Sequence, residues 1–185
     1  DPQIGVIRVD DSDGNAIAIV GNMAAHPTTV DGADKFSISA DYPGFFYNAV
    51  ESQSAPGCVA MFLNGAEGNQ RPANSEKLTG WAHTEWVGNQ LAAKVMETAA
   101  KITGVEAQLR VQRSAPELPR TVASSFMPNT TDLATLEIDD LVLTFVPGEP
   151  CVEIGLELRR IAQARGYRVQ FTVGLANDHL LYFVP

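Results

Sequence analysis

The stretch Leu141-Val142-Leu143-Thr144-Phe145-Val146-Pro147-Gly148-Glu149-Pro150 decides how this chain is expected to fold. Its first six residues predict a strand that stops at the Pro-Gly turn. Apolar spacing predicts an amphipathic helix over 153–164, and a short apolar run predicts a further strand over 169–173. A strand, a helix and a strand in this order are typical of α/β proteins, so we predict a mixed or largely parallel β-sheet covered by helices.

The rest of the chain extends this pattern. Two β-type runs, 4–9 and 16–22, flank the turn Asp11-Ser12-Asp13-Gly14-Asn15 and predict a hairpin. Helices are predicted over 45–52 and 80–102. The continuous apolar run 58–63 predicts a strand that is buried on both faces. No linker divides the 185 residues, which favours a single domain.

Composition narrows the classes of partner. The net charge is -9 and only 13 residues are Lys or Arg, which argues against nucleic acid because phosphate contacts need clustered cations. No apolar run approaches the roughly 20 residues of a transmembrane helix. The chain begins Asp1-Pro2-Gln3 almost directly in a strand, so we expect it to be an interior part of a longer chain and the domain to be missing its N-terminal portion.

Three separate residues stand where apolar strands stop: His26, Glu149 and Tyr182. Strand ends that face a cleft are where α/β enzymes keep their chemistry, so a His, a Glu and a Tyr placed there indicate a metal centre. Each residue also has a simpler explanation. His26 could be structural, Glu149 could favour the start of the following helix, and Tyr182 could be a core aromatic.

Five motifs occur in a fixed order along the chain. Together they resemble the catalytic domain of the neutral/alkaline, non-lysosomal ceramidases and their bacterial relatives, over the whole chain. The motifs are Asn22-x-x-x-His26-Pro27-Thr28, Ile38-Ser39-Ala40-Asp41-Tyr42-Pro43-Gly44, Phe62-Leu63-Asn64-Gly65-Ala66-Glu67-Gly68-Asn69, Pro147-Gly148-Glu149 and Gly174-Leu175-Ala176-Asn177.

The resemblance implies a zinc ion held by two His, one Glu and one Tyr. The second His of the family matches His26, the Glu matches Glu149 and the Tyr matches Tyr182. The first His belongs to a His-Thr-His-type motif that the family carries upstream, and neither His83 nor His179 fits that role. We therefore expect a Zn²⁺ site formed by His26, Glu149 and Tyr182, with its remaining ligand outside these residues.

Two further residues follow from the resemblance. The family places a catalytic Ser before the Pro of the Gly-rich turn, and this chain has Arg71 there. Arg cannot act as that nucleophile, so Arg71 either recognises a carboxylate or phosphate on the substrate or is a surface arginine. Asp41 matches an Asp beside the site. It either orients a ligand or water, or caps the helix that follows.

The favoured function is a zinc-dependent hydrolase of the neutral ceramidase-like group, cleaving an amide or related C–N bond with metal-activated water. Residues 1–185 would form the C-terminal part of its catalytic domain. The partners would be a small-molecule or lipid-like amide substrate and the missing N-terminal segment of the same domain. Two alternatives remain open: a non-catalytic binding module that keeps the fold, and a true N-acylsphingosine amidohydrolase.

Overall fold

The computed structural model describes residues 3–118 and 128–185. They form two compact units, and each unit contains segments that are distant in sequence. The N unit comprises the described residues up to Leu63 together with Arg71–Val105, and the C unit comprises Asn64–Gln70 and the described part of Glu106–Pro185. Since the chain enters each unit more than once, no single cut in the sequence separates them, which is why composition shows no linker.

A three-stranded sheet and two helices build the N unit. The predicted hairpin is confirmed, because the first two strands pair antiparallel with Arg8 opposite Ile19. The second strand lies in the middle of the sheet. The elements are β1 (Ile4–Asp10), β2 (Ala16–Met23), a 3-10 turn (Gly32–Asp34), α1 (Asp41–Ser52), β3 (Val59–Asn64) and α2 (Gly80–Ala99).

The core of the N unit lies where the two helices meet the sheet. Phe46 and Val50 of α1 and Val95 of α2 are completely buried, and Leu91 and Ile19 complete the centre of this cluster. Burying each such side chain contributes about 1.5–3 kcal/mol before conformational entropy is counted. The regularly spaced apolar residues that predicted both helices are therefore the residues that the helices bury against the sheet.

One prediction in this unit is wrong. Strand β3 is not buried on both faces, because Val59 and Met61 are 51% and 47% exposed while Ala60 between them is buried. The strand lies at an edge of its sheet, next to β2 alone. An unbroken apolar run therefore does not distinguish a central strand from an edge strand that has one open face.

A four-stranded mixed sheet with one helix builds the C unit. The two middle strands form an antiparallel hairpin, and the last strand of the sheet runs parallel to its neighbour. The elements are β4 (Leu109–Ser114), β5 (Leu133–Ile138), β6 (Leu141–Phe145), β7 (Glu149–Pro150), α3 (Val152–Ala164), β8 (Val169–Val173) and β9 (Tyr182–Phe183), and the sheet order is β4-β5-β6-β8.

The strand–helix–strand unit predicted from the opening stretch is confirmed. Helix α3 connects β6 to β8 and packs on β8, and the two strands pair in parallel. The α/β class with mixed sheets and covering helices is therefore confirmed, although the strands of the described residues are distributed over three sheets. Of the helices in these residues, none has the length and apolar character to cross a membrane.

Candidate active site

Glu149 and Tyr182 lie side by side in the C unit. They belong to the two short strands β7 and β9, which pair in parallel with Glu149 directly opposite Tyr182. The backbone N–H of Glu149 donates to the carbonyl of Leu181, and that of Cys151 donates to Phe183, both at 2.9 Å. Two residues that are 33 positions apart are thus fixed as neighbours by backbone pairing.

The side chains of this pair also interact. The Tyr182 hydroxyl donates a hydrogen bond to the Glu149 carboxylate, and this bond, together with the carboxylate charge, raises the pKa of the Tyr182 phenol. Burial and the charge of Glu67 raise the pKa of Tyr182 further. The pair thus presents the Tyr182 hydroxyl oxygen and the Glu149 carboxylate oxygens side by side.

Glu67 is a completely buried carboxylate of the same unit. Its side chain lies against the backbone where β8 ends, because a Cβ placed on Gly174 would be 2.6 Å from Glu67 Oε2. The glycine is required at this point for the two segments to approach each other. Glu67 lies within one of the five motifs, but nothing in the sequence indicates that it is buried, and no role was predicted for it.

The start of helix α3 is capped from a distant segment. Asn69 Oδ1 accepts the backbone N–H of Val152 at 2.9 Å, and Asn69 Nδ2 donates to Glu153 Oε2 at 3.0 Å. This satisfies one of the donors that every helix leaves open at its first turn. The cap also ties the Gly-rich turn to the residues that directly follow Glu149.

We expect Asn69→Ala to lower the free energy of unfolding by about 1 kcal/mol, the usual cost of losing a capping side chain. Denaturant unfolding of the two proteins measures the difference. Gln163→Ala, an exposed position on the same helix, is the control and should change stability by only a few tenths of a kcal/mol. Equal effects of the two substitutions would show that Asn69 is not a cap.

His26 lies in the N unit, half-buried, in the segment that follows β2. The residues around it are held at several points. The Tyr42 hydroxyl donates to the Ala25 carbonyl at 2.6 Å, and Thr28 N–H donates to the carbonyl of His26 at 2.9 Å. The position of His26 within its unit is therefore fixed by the first turn of α1.

Asp41 supplies most of this anchoring. Its carboxylate accepts four hydrogen bonds, from the N–H groups of Thr29, Val30 and Tyr42 and from the Thr29 hydroxyl, at 2.6 to 3.0 Å. It is buried and has a backbone φ of 51°, in the left-handed region. Asp41 is thus suited to orient the segment that carries His26. Asp41 also accepts the Tyr42 N–H at the start of α1, so the alternative role as a helix cap stays open.

Arg71 is exposed on the irregular connection between β3 and α2. A guanidinium in such a place is available to an anionic or strongly polar group in solution. Its predicted role in substrate recognition, like the predicted roles of His26 and Asp41, stays a prediction.

The structure brings together Glu149 and Tyr182 of the expected zinc ligands. A third residue lies beside this pair, His179, which the resemblance does not include among the zinc ligands: its Nε2 is 3.3 Å from Glu149 Oε1. His26, Asp41 and Arg71 belong to the other unit. A shared metal site with His26 therefore remains a prediction.

The chemistry of the Glu149–Tyr182 pair fits part of a zinc shell. Zn²⁺ accepts carboxylate oxygens and imidazole nitrogens, and a pair of converging oxygens with a negative charge attracts a cation. Within residues 3–118 and 128–185, no three His, Cys, Asp or Glu side chains are grouped to hold a metal ion. The expected set contains only two residues of those types, because its third member is a tyrosine.

Comparison with known proteins supports the fold. The crystal structure of neutral ceramidase from Pseudomonas aeruginosa superimposes on the whole chain with a TM-score of 0.79 and 20% sequence identity, and this chain spans 41% of it. A structure described as ceramidase complexed with C2 gives a TM-score of 0.81 and 17% sequence identity. The match covers 99% of this chain and 42% of the ceramidase chain. Neither the models of protein families nor the curated proteins gave a match.

The chain therefore has a neutral ceramidase-like fold and spans less than half the length of these two proteins. This confirms the structural side of the resemblance that the five motifs indicated. At 17–20% identity the likeness concerns the fold, and activity must be argued from the residues of the site.

Proposed function

We propose that this chain is part of a ceramidase-like zinc hydrolase that cleaves an amide or related C–N bond. The observation that carries the proposal is the pairing of Glu149 with Tyr182 on β7 and β9, at the positions where the resemblance expects zinc ligands. The ceramidase-like fold supports it. A bound zinc ion would supply a Lewis acid that polarises the scissile carbonyl.

Different residues of the chain would bind the ion and position its ligands. Glu149, Tyr182 and His26 would hold the ion, and Asp41 would orient the segment of His26 through its bonds to Thr29 and Val30. The fourth ligand would come from the part of the protein that corresponds to the uncovered length of the two ceramidases. That part is the proposed N-terminal partner segment, and the substrate would be a small or lipid-like amide.

Two measurements on the protein at its natural length test this proposal. We expect about one zinc ion per chain, and hydrolysis of N-acyl lipids or soluble amides that a chelator abolishes and added zinc restores. Glu149→Gln should lose the metal and the hydrolysis together, whereas Glu157→Gln, which only breaks an exposed pair with Arg160, should keep both. A protein that binds no zinc and hydrolyses neither class of amide would contradict the proposal.

The second candidate is a binding module that keeps the fold without catalysis. Arg71 favours it, because this residue stands where the resemblance expects a nucleophilic Ser. The third candidate, a true N-acylsphingosine amidohydrolase, would need a nucleophile from elsewhere. Hydrolysis of ceramide in preference to soluble amides would favour the amidohydrolase.

We expect Arg71→Ala to raise KM about tenfold with little change in kcat, equal to about 1.4 kcal/mol of binding. The reason is that an exposed guanidinium binds an anionic or polar part of the substrate without taking part in bond cleavage. Steady-state kinetics on a substrate with such a group measures the effect. Arg113→Ala, an exposed arginine paired with Asp132, is the control.

Arg71→Ser tests the competing view. If this substitution creates ceramide hydrolysis, while Arg71→Ala leaves the native KM unchanged, Arg71 has no role in recognition and is a surface residue.

A further inference from the structure

We propose that the C unit carries a metal site of three donors: the Nε2 nitrogen of His179, the Glu149 carboxylate and the Tyr182 phenol oxygen. The inference rests on the proposed function, because it shares Glu149 and Tyr182 with it. It goes further by assigning a ligand role to His179, a residue that the sequence resemblance excludes from the zinc shell.

The first support is the geometry around one carboxylate. His179 Nε2 lies 3.3 Å from Glu149 Oε1, and Tyr182 hydrogen-bonds the same carboxylate. The Glu149 side chain is 13% exposed, whereas that of His179 is 57% exposed. An imidazole nitrogen and one phenol oxygen thus lie beside a mostly buried carboxylate, and the exposed imidazole leaves access for an ion.

The second support is the segment that carries the two outer donors. We call residues 174–183 the strap. Its backbone is hydrogen-bonded to residues 146–151 along its length. The bonds are Leu175 N–H to Gly148 O, Ala176 N–H to Val146 O, Leu180 N–H to Pro147 O, Glu149 N–H to Leu181 O and Cys151 N–H to Phe183 O, all between 2.8 and 3.1 Å.

The turn that bears His179 is anchored as well. Asp178 accepts the backbone N–H of His179 at 2.9 Å and the hydroxyl of Thr131 at 3.1 Å. Both contacts fix the backbone from which the imidazole projects. His179 is therefore exposed to solvent but does not sit on a loosely held loop.

The third support is backbone strain. The described residues include six non-glycine residues with positive φ, and three of them lie in the strap: Leu175 (53°), Asn177 (71°) and Leu181 (63°). A leucine in this region is an outlier, since only glycine and a few polar residues adopt it readily. Such strain concentrates at active sites and ligand clamps, where the surrounding structure imposes it.

The simpler explanation is that His179 and Glu149 form an ordinary surface ion pair. An exposed ion pair contributes too little to stability to account for three strained residues in one strap. A metal ligand set does account for them, because donors must be held in a fixed geometry for an ion to bind. The mixture of one nitrogen and two oxygens suits zinc or a similar divalent transition metal.

The test uses the metal-stripped protein at its natural length, titrated with Co²⁺ followed by its visible absorption and then with Zn²⁺ in competition. We expect His179→Asn to weaken Zn²⁺ binding at least tenfold and to change the Co²⁺ spectrum, since a nitrogen ligand is lost. Gln163→Ala, at an exposed position of α3 outside the strap, is the control. It removes no donor and does not alter the strap, so it should bind both metals as the original protein does.

His26→Asn separates this inference from the proposed function. If His179→Asn binds both metals normally and His26→Asn does not, His179 is a surface residue and the inference fails while the proposed zinc set stands. If His179→Asn weakens binding and His26→Asn does not, the inference stands and the role of His26 fails. An original protein that binds neither Co²⁺ nor Zn²⁺ overturns both.

Discussion

Asp41→Ala is expected to lower the free energy of unfolding by about 3–4 kcal/mol, because one substitution leaves four donors without their acceptor. Three of these donors are backbone N–H groups, at Thr29, Val30 and Tyr42, and the fourth is the Thr29 hydroxyl. Alanine also fits the φ of 51° less well than aspartate does. Denaturant unfolding monitored in the N unit measures the loss.

Asp41→Asn refines this prediction. Asparagine tolerates the same backbone conformation, but its amide group would direct N–H donors at some of the N–H groups that the carboxylate accepts. We therefore expect the free energy of unfolding of Asp41→Asn to lie between that of the original protein and that of Asp41→Ala. Asp13→Ala, at an exposed hairpin position, is the control and should stay within about 0.5 kcal/mol.

The outcome also distinguishes two roles for Asp41. A protein with Asp41→Ala that keeps its stability but loses turnover would show that the carboxylate acts in catalysis. A protein that loses stability, and regains turnover under conditions that stabilise the fold, would show that Asp41 positions the segment of His26.

The predicted elements agree well with the structure where periodicity and turn residues coincide. The turn around Gly14 predicted the hairpin, and the apolar spacing of α2 and α3 predicted helices that the structure confirms to within a few residues. Helix α1 begins earlier than expected, at Asp41, because the Asp41 carboxylate bonds the Tyr42 N–H before the Pro-Gly pair. Only the folded structure supplies that arrangement.

The candidate site was predictable only in part. Glu149 and Tyr182 could be paired from the resemblance and from their positions at strand ends, and β7 and β9 place them together. The contact of His179 with Glu149 could not be found in this way, because the path of the segment that carries His179 includes leucines with positive φ, and leucine gives no signal for that conformation. The burial of Glu67 depends equally on contacts between distant segments.

Gly148→Ala is expected to be among the most damaging substitutions in the C unit, with a loss of about 3 kcal/mol. A Cβ at this position would lie 2.4 Å from the carbonyl oxygen of Leu181 and 2.7 Å from the ring of Phe183. The first contact is with backbone, so it cannot be relieved by a side-chain rotation. The strap would have to move away from residues 146–151.

That movement would also affect the site. The Leu181 carbonyl accepts the N–H of Glu149 at 2.9 Å, so moving it breaks the bond that holds Glu149 opposite Tyr182. We therefore expect Gly148→Ala to weaken Zn²⁺ binding together with stability. Hydrogen exchange at the Glu149 and Leu180 amides should report the opening of the strap, and denaturant unfolding should report the loss of stability.

Gly166→Ala provides the matched control in the same unit. Gly166 has a φ of 96°, but a Cβ there would meet nothing within 4 Å. Its replacement measures backbone strain alone, at about 1–2 kcal/mol, and should leave exchange in the strap and Zn²⁺ binding unchanged. If Gly148→Ala proves no more harmful than Gly166→Ala, the close approach of the strap to Gly148 is not what fixes Tyr182 beside Glu149.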